Sequence, residues 1–379
     1  MSDGRFPGRT AAVLGLGLFG IGLGVGGFGT YVDALVARGV APDAAGFGST
    51  LFLLGQLLVV YPADVSSRRW SIRHTAAGGL ALAVVGTALG GVLSVPVNYG
   101  ARLLLGLGMG TAFLAAMKYA GRRTAGSVTA RVQGVLGATF TLGLAVAIPA
   151  MPAAVDVAGP FGASLVAAGP VAVGAAFAPF LPSAGTNDPV PFGAYVDAFG
   201  SPTGLALGLG NAASYGLLVV ATTWYTGVAT QLPGVPVTLV LAGFAVATFV
   251  GRTWSGWLTV ITTERGATGG ALLFLAGALA VVAAALSVES TLLLGVGFVL
   301  TGAGFGLPFG PLNSLAFANL GTDPGVLLVG MAALGNGAAL LYPWLVGWLL
   351  DASGGYVAGF VLMALSVLAV ALGWRRVMY

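Results

Sequence analysis

The chain has no cysteine, one histidine and very few charged residues, and each of these scarcities excludes a class of protein. Without cysteine there can be no disulfide bond and no thiolate metal site. The single histidine, His74, leaves no histidine-rich metal site. We find no nucleotide-binding loop and no Ser/His/Asp set with a usable histidine, so we expect neither an enzyme nor a bound metal or cofactor.

The chain is rich in apolar residues and glycine and poor in charged residues. Hydrophobic residues make up 57% of the chain and charged residues 7%, far below the ~25% of an average soluble domain. The chain has 64 glycines, and most of them fall inside the apolar runs, where small residues let transmembrane helices approach closely. This composition predicts an all-α integral membrane protein. The net charge of +4 does not indicate nucleic acid, because the basic residues fall at the ends of apolar runs.

Apolar runs of about 20 residues, the length needed to cross a bilayer, recur along the whole chain. Proline, glycine and charged residues separate them. We predict twelve transmembrane spans near 10–32, 46–64, 74–95, 98–119, 131–154, 160–181, 203–228, 236–262, 267–287, 291–318, 325–349 and 356–376.

The lysines and arginines other than Arg102 and Arg252 lie almost entirely on one side. If the N-terminus is cytoplasmic, the outer side has Arg38 alone. The inner side collects Arg5, Arg9, Arg68, Arg69, Arg73, Lys118, Arg122, Arg123, Arg131, Arg265, Arg375 and Arg376. This positive-inside bias predicts a multi-pass protein of the cell membrane with both termini in the cytoplasm.

The longest hydrophilic stretch divides the spans into two equal sets. It runs from Pro182 to Pro202 and includes a short amphipathic patch at Phe192–Asp197. We therefore predict an N-terminal six-helix bundle at 1–182, a cytoplasmic linker at 183–202 and a C-terminal six-helix bundle at 203–379.

Four local motifs fall at matching places in this layout. The segment 60–69 resembles a Gly-x-Leu-x-Asp-x-x-Gly-Arg-Arg pattern through its Asp and two Arg, without the glycines or leucine. Residues 102–110 resemble Arg-x-x-x-Gly-x-Gly, and the segments 251–266 and 335–354 resemble the eighth and eleventh helices of the same family. Together with twelve spans, these motifs resemble the major facilitator superfamily. That resemblance implies two pseudo-symmetric bundles, alternating access and one substrate site near the bilayer midplane.

Arg252 is the leading candidate for substrate binding, because it lies inside a long apolar run. A helix from about Val237 to Thr262 would place it roughly 15 Å from the cytoplasmic end, and a charge at that depth is costly unless it serves a function.

Aligning the two halves on the loop motif puts Arg252 opposite Gln56. The nitrate/nitrite porter branch has arginine at both positions, whereas monocarboxylate and oxalate/formate carriers resemble this chain in having a lone arginine. The resemblance implies an anion; an arginine bonded to carbonyls of a broken helix is the structural alternative.

Other polar residues within the spans are also candidates. Asn211 and Tyr215 share a helical face with Ser214 at i, i+3, i+4 spacing, and Asn313 follows Pro308 and Pro311, which should break their helix. For each, a hydrogen bond between helices is the alternative. Arg102 is a weaker candidate, because it lies near an outer helix end and could extend to the interface.

Asp64, Arg68 and Arg69 lie in the basic loop motif, and the resemblance implies a gating role for them. Such charges can pair in one conformation and separate in another. Simple anchoring by the positive-inside rule is the alternative reading for the arginines.

We expect a secondary active or facilitative transporter of a small anion, monocarboxylate or nitrate/nitrite-like. No Asp or Glu lies deep in a predicted span, so no residue offers an obvious proton relay. The alternatives are a carrier of amino acids or neutral solutes and a drug exporter; a sensor would need a soluble signalling domain. The expected partners are the anionic substrate and membrane lipid, without nucleic acid, and the resemblance implies a monomer.

The absence of native cysteine makes the predicted topology directly testable by labelling. We expect Ala37→Cys to react with a membrane-impermeant maleimide in intact cells, because it lies in a predicted outer loop. We expect Ala184→Cys to react only after permeabilisation. The reverse pattern would contradict the cytoplasmic placement of the termini.

Overall fold

The computed structural model describes residues 6–41, 44, 47–185, 188, 190–232, 234–318 and 325–379. The described residues form helices joined by short turns, and they contain no strand. Three linker positions, 186, 187 and 189, lie outside the described residues. The helices account for the apolar runs of the sequence, since a backbone in lipid must satisfy its own hydrogen bonds.

Sixteen α-helices can be followed through the described residues. In the first half these are α1 (Gly8–Gly26), α2 (Phe28–Val36), α3 (Gly48–Arg69), α4 (Ile72–Leu89), α5 (Val95–Arg123) and α6 (Ser127–Phe177). In the second half these are α7 (Phe192–Gly200), α8 (Pro202–Asn211), α9 (Leu217–Thr230), α10 (Val237–Ser255), α11 (Leu258–Ile261), α12 (Glu264–Ser287), α13 (Thr291–Gly306), α14 (Phe309–Phe317), α15 (Val326–Ser353) and α16 (Val357–Met378).

Eleven runs among the described residues are long and apolar enough to cross a membrane. One of them, Ser127–Phe180, is 54 residues long, far beyond the thickness of a bilayer. Gly159 interrupts it with φ 71° and ψ 167°, a conformation open to glycine and strained for other residues. Dividing the run at Gly159 gives two spans and agrees with the predicted total of twelve. The protein is an all-α multi-pass membrane protein.

The chain forms two compact units whose limits differ in detail from the predicted bundles. The first unit contains residues 1–125 and 139–191, and the second contains 126–138 and 192–379. The start of α6 thus belongs to the second unit, and the predicted linker is divided between the two. Its amphipathic patch forms α7, which belongs to the second unit.

Helix α3 continues beyond its predicted end. We expected the span to end at residue 64, but the helix runs through Arg69 and includes Pro62. Asp64, Arg68 and Arg69 are therefore helical residues and do not lie in a loop. Placing Asp64 and Arg68 four residues apart on one helix brings their side chains to the same face.

Helices α1 and α6 approach closely in the first unit at a pair of glycines. A Cβ at Gly143 would lie 2.9 Å from the Cα of Gly22 and would overlap the carbonyl oxygen of Phe19. A Cβ at Gly22 would overlap the carbonyl oxygen of Phe140. This crossing therefore requires glycine in both helices, as in other small-residue contacts of membrane proteins.

Three helices of the second unit are irregular. A π-helical segment, Ala212–Gly216, joins α8 to α9. Helix α13 ends at Gly306 and α14 begins at Phe309, so the predicted break at Pro308 is confirmed. Pro311 causes no break, because it lies in the first turn of α14, where a backbone N–H is not needed.

A substitution at Gly143 should lower stability, while a matched substitution at Gly78 should not. Gly78 is a helical glycine of α4, and a Cβ added to it would have nothing within 4 Å. We expect Gly143→Ala to lose about 1–3 kcal/mol through overpacking. Gly78→Ala should be neutral or gain up to ~1 kcal/mol from helix propensity. Thermal unfolding in detergent measures both; equal midpoints would contradict the described crossing.

Candidate functional site

Arg252 is almost completely enclosed in the second unit, with 1% of its surface exposed. Its Nη1 donates a hydrogen bond of 3.2 Å to the carbonyl oxygen of Gly137. Its Cζ lies 4.4 Å from the centre of the Phe309 ring, a distance typical of a cation–π contact. The guanidinium is thus held by the start of α6 on one side and by α14 on another.

The helix that contains Arg252 has a two-residue break that we did not predict. We expected one helix from about Val237 to Thr262; α10 ends at Ser255, and α11 resumes at Leu258 and ends at Ile261, so Arg252 lies in the last turn of α10. Gly256 ends the helix against the backbone of Arg131, and a Cβ at Gly256 would overlap the Arg131 backbone. A cation in the last turn is favoured by the helix dipole. The prediction that Arg252 binds substrate therefore depends on its burial and its contacts.

The backbone of Arg252 also makes close contacts with neighbouring helices. A Cβ at Gly306 would lie 2.7 Å from the Arg252 nitrogen, and a Cβ at Gly134 would lie 2.7 Å from its oxygen. Ser255 Oγ donates to the same carbonyl oxygen at 2.7 Å and accepts from the N–H of Gly310 at 3.1 Å. These contacts restrict the directions in which the guanidinium can point.

Tyr215 lies close enough to Arg252 for a Coulombic interaction between the two side chains. It belongs to the π-helical segment, so a wider turn replaces the regular α-helical spacing that we assumed for Asn211 and Tyr215. Wider π turns often occur at functional sites, because they redirect side chains. Asn211 donates from Nδ2 to the carbonyl oxygen of Met331 at 3.1 Å, a bond between helices.

Asn313 is buried and lies one turn after Phe309 on α14. Its Nδ2 donates to the Phe309 carbonyl oxygen at 2.8 Å. Phe309 therefore connects the predicted residues Arg252 and Asn313. It also covers Gly137, where a Cβ would overlap its ring. Neither Phe309 nor Gly137 was predicted from the sequence; the Pro308–Pro311 motif around Phe309 was the available signal.

Gln56 and Arg102 lie in the first unit, and both are 3% exposed. The Cζ of Arg102 lies 3.9 Å from the centre of the Phe28 ring and 4.8 Å from that of Phe52. Its Nε donates to the Gly48 carbonyl oxygen at 3.5 Å. Extension to the membrane interface is therefore wrong for Arg102, because aromatic rings cover its guanidinium. These contacts favour a role in packing.

Asp64 forms ion pairs with two basic side chains in the interior of the first unit. Arg68 Nε donates to Asp64 Oδ2 at 2.6 Å, and Lys118 Nζ donates to Asp64 Oδ1. Lys118 also donates to Ser67 Oγ at 2.6 Å. We expected Lys118 to be an anchor at the end of its helix, but it is fully buried, and its partner on α3 was not predicted. The third predicted gating residue, Arg69, is exposed.

Among the described residues, no group of three His, Cys, Asp or Glu side chains could hold a metal ion. Within the second unit, the described contacts of the Arg252 guanidinium include the ring of Phe309 and the carbonyl oxygen of Gly137, and Tyr215 lies within Coulombic reach. Such a set can bind an anion through charge-assisted hydrogen bonds and exclude water from it.

Comparison with known proteins agrees with this architecture. The sequence matches the family model of the Major Facilitator Superfamily over residues 14–332. No curated protein sequence matches the chain.

Several solved structures share the fold at low sequence identity. The E. coli fucose:proton symporter FucP has a TM-score of 0.77 at 14% identity, covering 97% of this chain and 98% of that one. The human organic anion transporter MFSD10 has a TM-score of 0.76 at 16% identity, covering 98% and 100%. The proton:xylose symporter XylE, bound to 6-bromo-6-deoxy-D-glucose, has a TM-score of 0.76 at 12% identity, covering 96% and 93%.

Removal of the Asp64 charge should destabilise the protein strongly. Asp64→Asn leaves the cations of Lys118 and Arg68 buried without their carboxylate, which typically costs about 3–5 kcal/mol. Adding Lys118→Met should restore part of the stability, because one buried charge is then removed. Chemical or thermal unfolding in detergent measures both variants. An Asp64→Asn protein as stable as wild type would contradict the described ion pairs.

Proposed function

The chain belongs to the Major Facilitator Superfamily, and the solved structures that resemble it are transporters. We propose that it carries a small anion across the membrane and that Arg252 binds the negative charge of this anion. The transport would follow alternating access, with the substrate bound near the bilayer midplane. A monocarboxylate or a nitrate-like ion fits a single guanidinium best, because both are planar and singly charged.

The enclosure of Arg252 carries this proposal. A guanidinium with 1% of its surface exposed, held against Phe309 and Gly137, is costly to bury. Charges within membrane spans usually mark substrate or ion pathways. Tyr215 lies close enough to this cation for a Coulombic interaction, and hydroxyl donors commonly complete the binding of a carboxylate.

The distribution of buried charge also favours an anion over a cation. Asp64 is the buried acidic side chain among the described residues, and two cations already bind it. Arg102 lies between two aromatic rings and gives no acidic site. A cationic drug would need a buried carboxylate of its own. These observations make an amino acid, bound through its carboxylate, the second candidate, and they disfavour a cationic-drug exporter.

The named neighbours carry different substrates and share only the fold with this chain. They are fucose, xylose and organic anion transporters at 12–16% identity. The organic anion transporter is compatible with the proposal, and the sugar symporters define the neutral alternative. We further propose residence in the cell membrane with cytoplasmic termini, from the distribution of arginine, and a monomeric state.

Thermal unfolding of the purified protein against a ligand panel tests the proposal. The panel contains nitrate, nitrite, formate, lactate, pyruvate, oxalate, amino acids, fucose, xylose and cationic dyes. A ligand at ~100 times its dissociation constant adds about 2.7 kcal/mol to the stability of the folded state. We expect one or more anions to raise the midpoint of wild type and not that of Arg252→Gln.

Two further variants make the result specific. Arg252→Lys keeps the charge but loses the planar fork, so its response should be weaker but present. Arg376→Gln removes an exposed arginine at the end of α16 and should respond as wild type does. Stabilisation by a sugar alone, or an equal anion response in Arg252→Gln, would contradict the anion proposal.

A further inference from the structure

Three arginines of the first unit bind the backbone of the segment that follows α6. Arg73 Nη1 donates to the carbonyl oxygen of Leu181 at 3.2 Å. Arg122 Nη1 donates to that of Gly185 at 2.7 Å, and Arg123 Nη2 donates to that of Ser183. We call Arg73, Arg122 and Arg123 the arginine cluster. From the sequence, all three were expected to be ordinary positive-inside anchors.

Two more side chains extend this contact along the same segment. Tyr119 donates from its hydroxyl to the carbonyl oxygen of Pro182 at 2.6 Å. Arg68 donates from Nη1 to the carbonyl oxygen of Asp188 at 3.2 Å, while its Nε binds Asp64. The described part of this segment is therefore bound to the ends of α3, α4 and α5, where the basic residues converge.

The charges of Arg73 and Arg123 are poorly matched by the neutral carbonyl partners described above. A carbonyl oxygen is neutral, and hydrogen bonds to an anionic oxygen are roughly twice as strong. Among the described residues, no carboxylate forms an ion pair with Arg73 or Arg123. The Nε atoms of these two arginines are buried without a hydrogen-bond partner there. A phosphate bound to the remaining Nη nitrogens of these two arginines would supply the missing negative charge.

Exposed aromatic side chains flank the cluster in the sequence. Trp70 precedes Arg73 by three residues and is 74% exposed, and Phe180 directly precedes Leu181 and is 81% exposed. Large aromatic residues are enriched where a membrane meets water, since their rings bury among the headgroups. Clustered arginine beside exposed aromatic residues is the combination that binds acidic lipids.

We propose that the arginine cluster is a binding site for the phosphate headgroup of an acidic phospholipid. The headgroup binds Arg73 and Arg123, and Trp70 and Phe180 contact the glycerol and the upper acyl chains. The lipid joins the end of α6 to the ends of α4 and α5. The site is separate from Arg252 and does not depend on which substrate is carried.

A lipid is favoured over free phosphate as the source of this anion. The positive-inside rule puts the cluster at the cytoplasmic leaflet, whose acidic lipids attract basic residues next to membrane spans. The two exposed rings offer an apolar surface that inorganic phosphate cannot use. Phosphate alone should therefore bind much more weakly than a lipid with the same charge.

The test uses full-length protein in detergent micelles doped with defined lipid. Binding of phosphatidylglycerol is measured by native mass spectrometry and by the shift of the unfolding midpoint. Phosphatidylcholine and inorganic phosphate are run in parallel. The double variant Arg73→Gln/Arg123→Gln is compared with Arg9→Gln/Arg376→Gln, which removes the same charge from two exposed positions.

We expect phosphatidylglycerol to bind wild type and the control variant equally, and the double variant about tenfold more weakly or worse. We also expect hydrogen exchange at residues 181–185 to slow on adding the lipid to wild type only. Equal binding to the double variant, or equal binding of phosphatidylcholine, would overturn the proposal. A response to phosphate as strong as that to the lipid would replace the lipid with a free anion.

Discussion

The free-energy cost of enclosing a charge in an apolar medium controls where the buried charged side chains among the described residues are placed. An ion removed from water loses several kcal/mol unless a partner compensates it. The first unit meets this requirement in two ways. Asp64 is shared between Lys118 and Arg68, and Arg102 is covered by aromatic rings. Arg252, in the second unit, contacts a carbonyl oxygen and an aromatic ring. We propose that its enclosure serves to bind a substrate anion.

Close helix packing is what makes such enclosure possible. Glycine at residues 134 and 306 brings neighbouring backbone within contact of Arg252, and glycine at 137 leaves room for the ring of Phe309. Each of these glycines therefore acts on the orientation of the guanidinium through a contact that a larger residue would block. The abundance of glycine and the scarcity of charge, both visible in the composition, are therefore related. Few charges are buried, and close helix packing at glycine fixes the orientation of the buried side chains.

The sequence was sufficient for features that depend on local composition. The all-helical membrane fold, the approximate number of spans and the break at Pro308 all follow from residues that stand out against an apolar background. It was insufficient where distant contacts decide the outcome. The residues between 256 and 261 are as apolar as the helix before them, so the break between α10 and α11 could not be predicted from composition. The π turn at Tyr215 likewise arises in a segment of ordinary apolar residues. The partner of Lys118 lies 54 positions away and could not be assigned from spacing.

The central claim is that the charge of Arg252 is the group that recognises the transported substrate. Uptake of radiolabelled formate, lactate and oxalate into proteoliposomes, compared between wild type and Arg252→Gln at equal protein incorporation, tests it most directly. We predict saturable uptake of at least one of these anions by wild type, inhibited by the unlabelled anion and abolished in the variant. Uptake that persists unchanged in Arg252→Gln would show that Arg252 is structural and would contradict the claim.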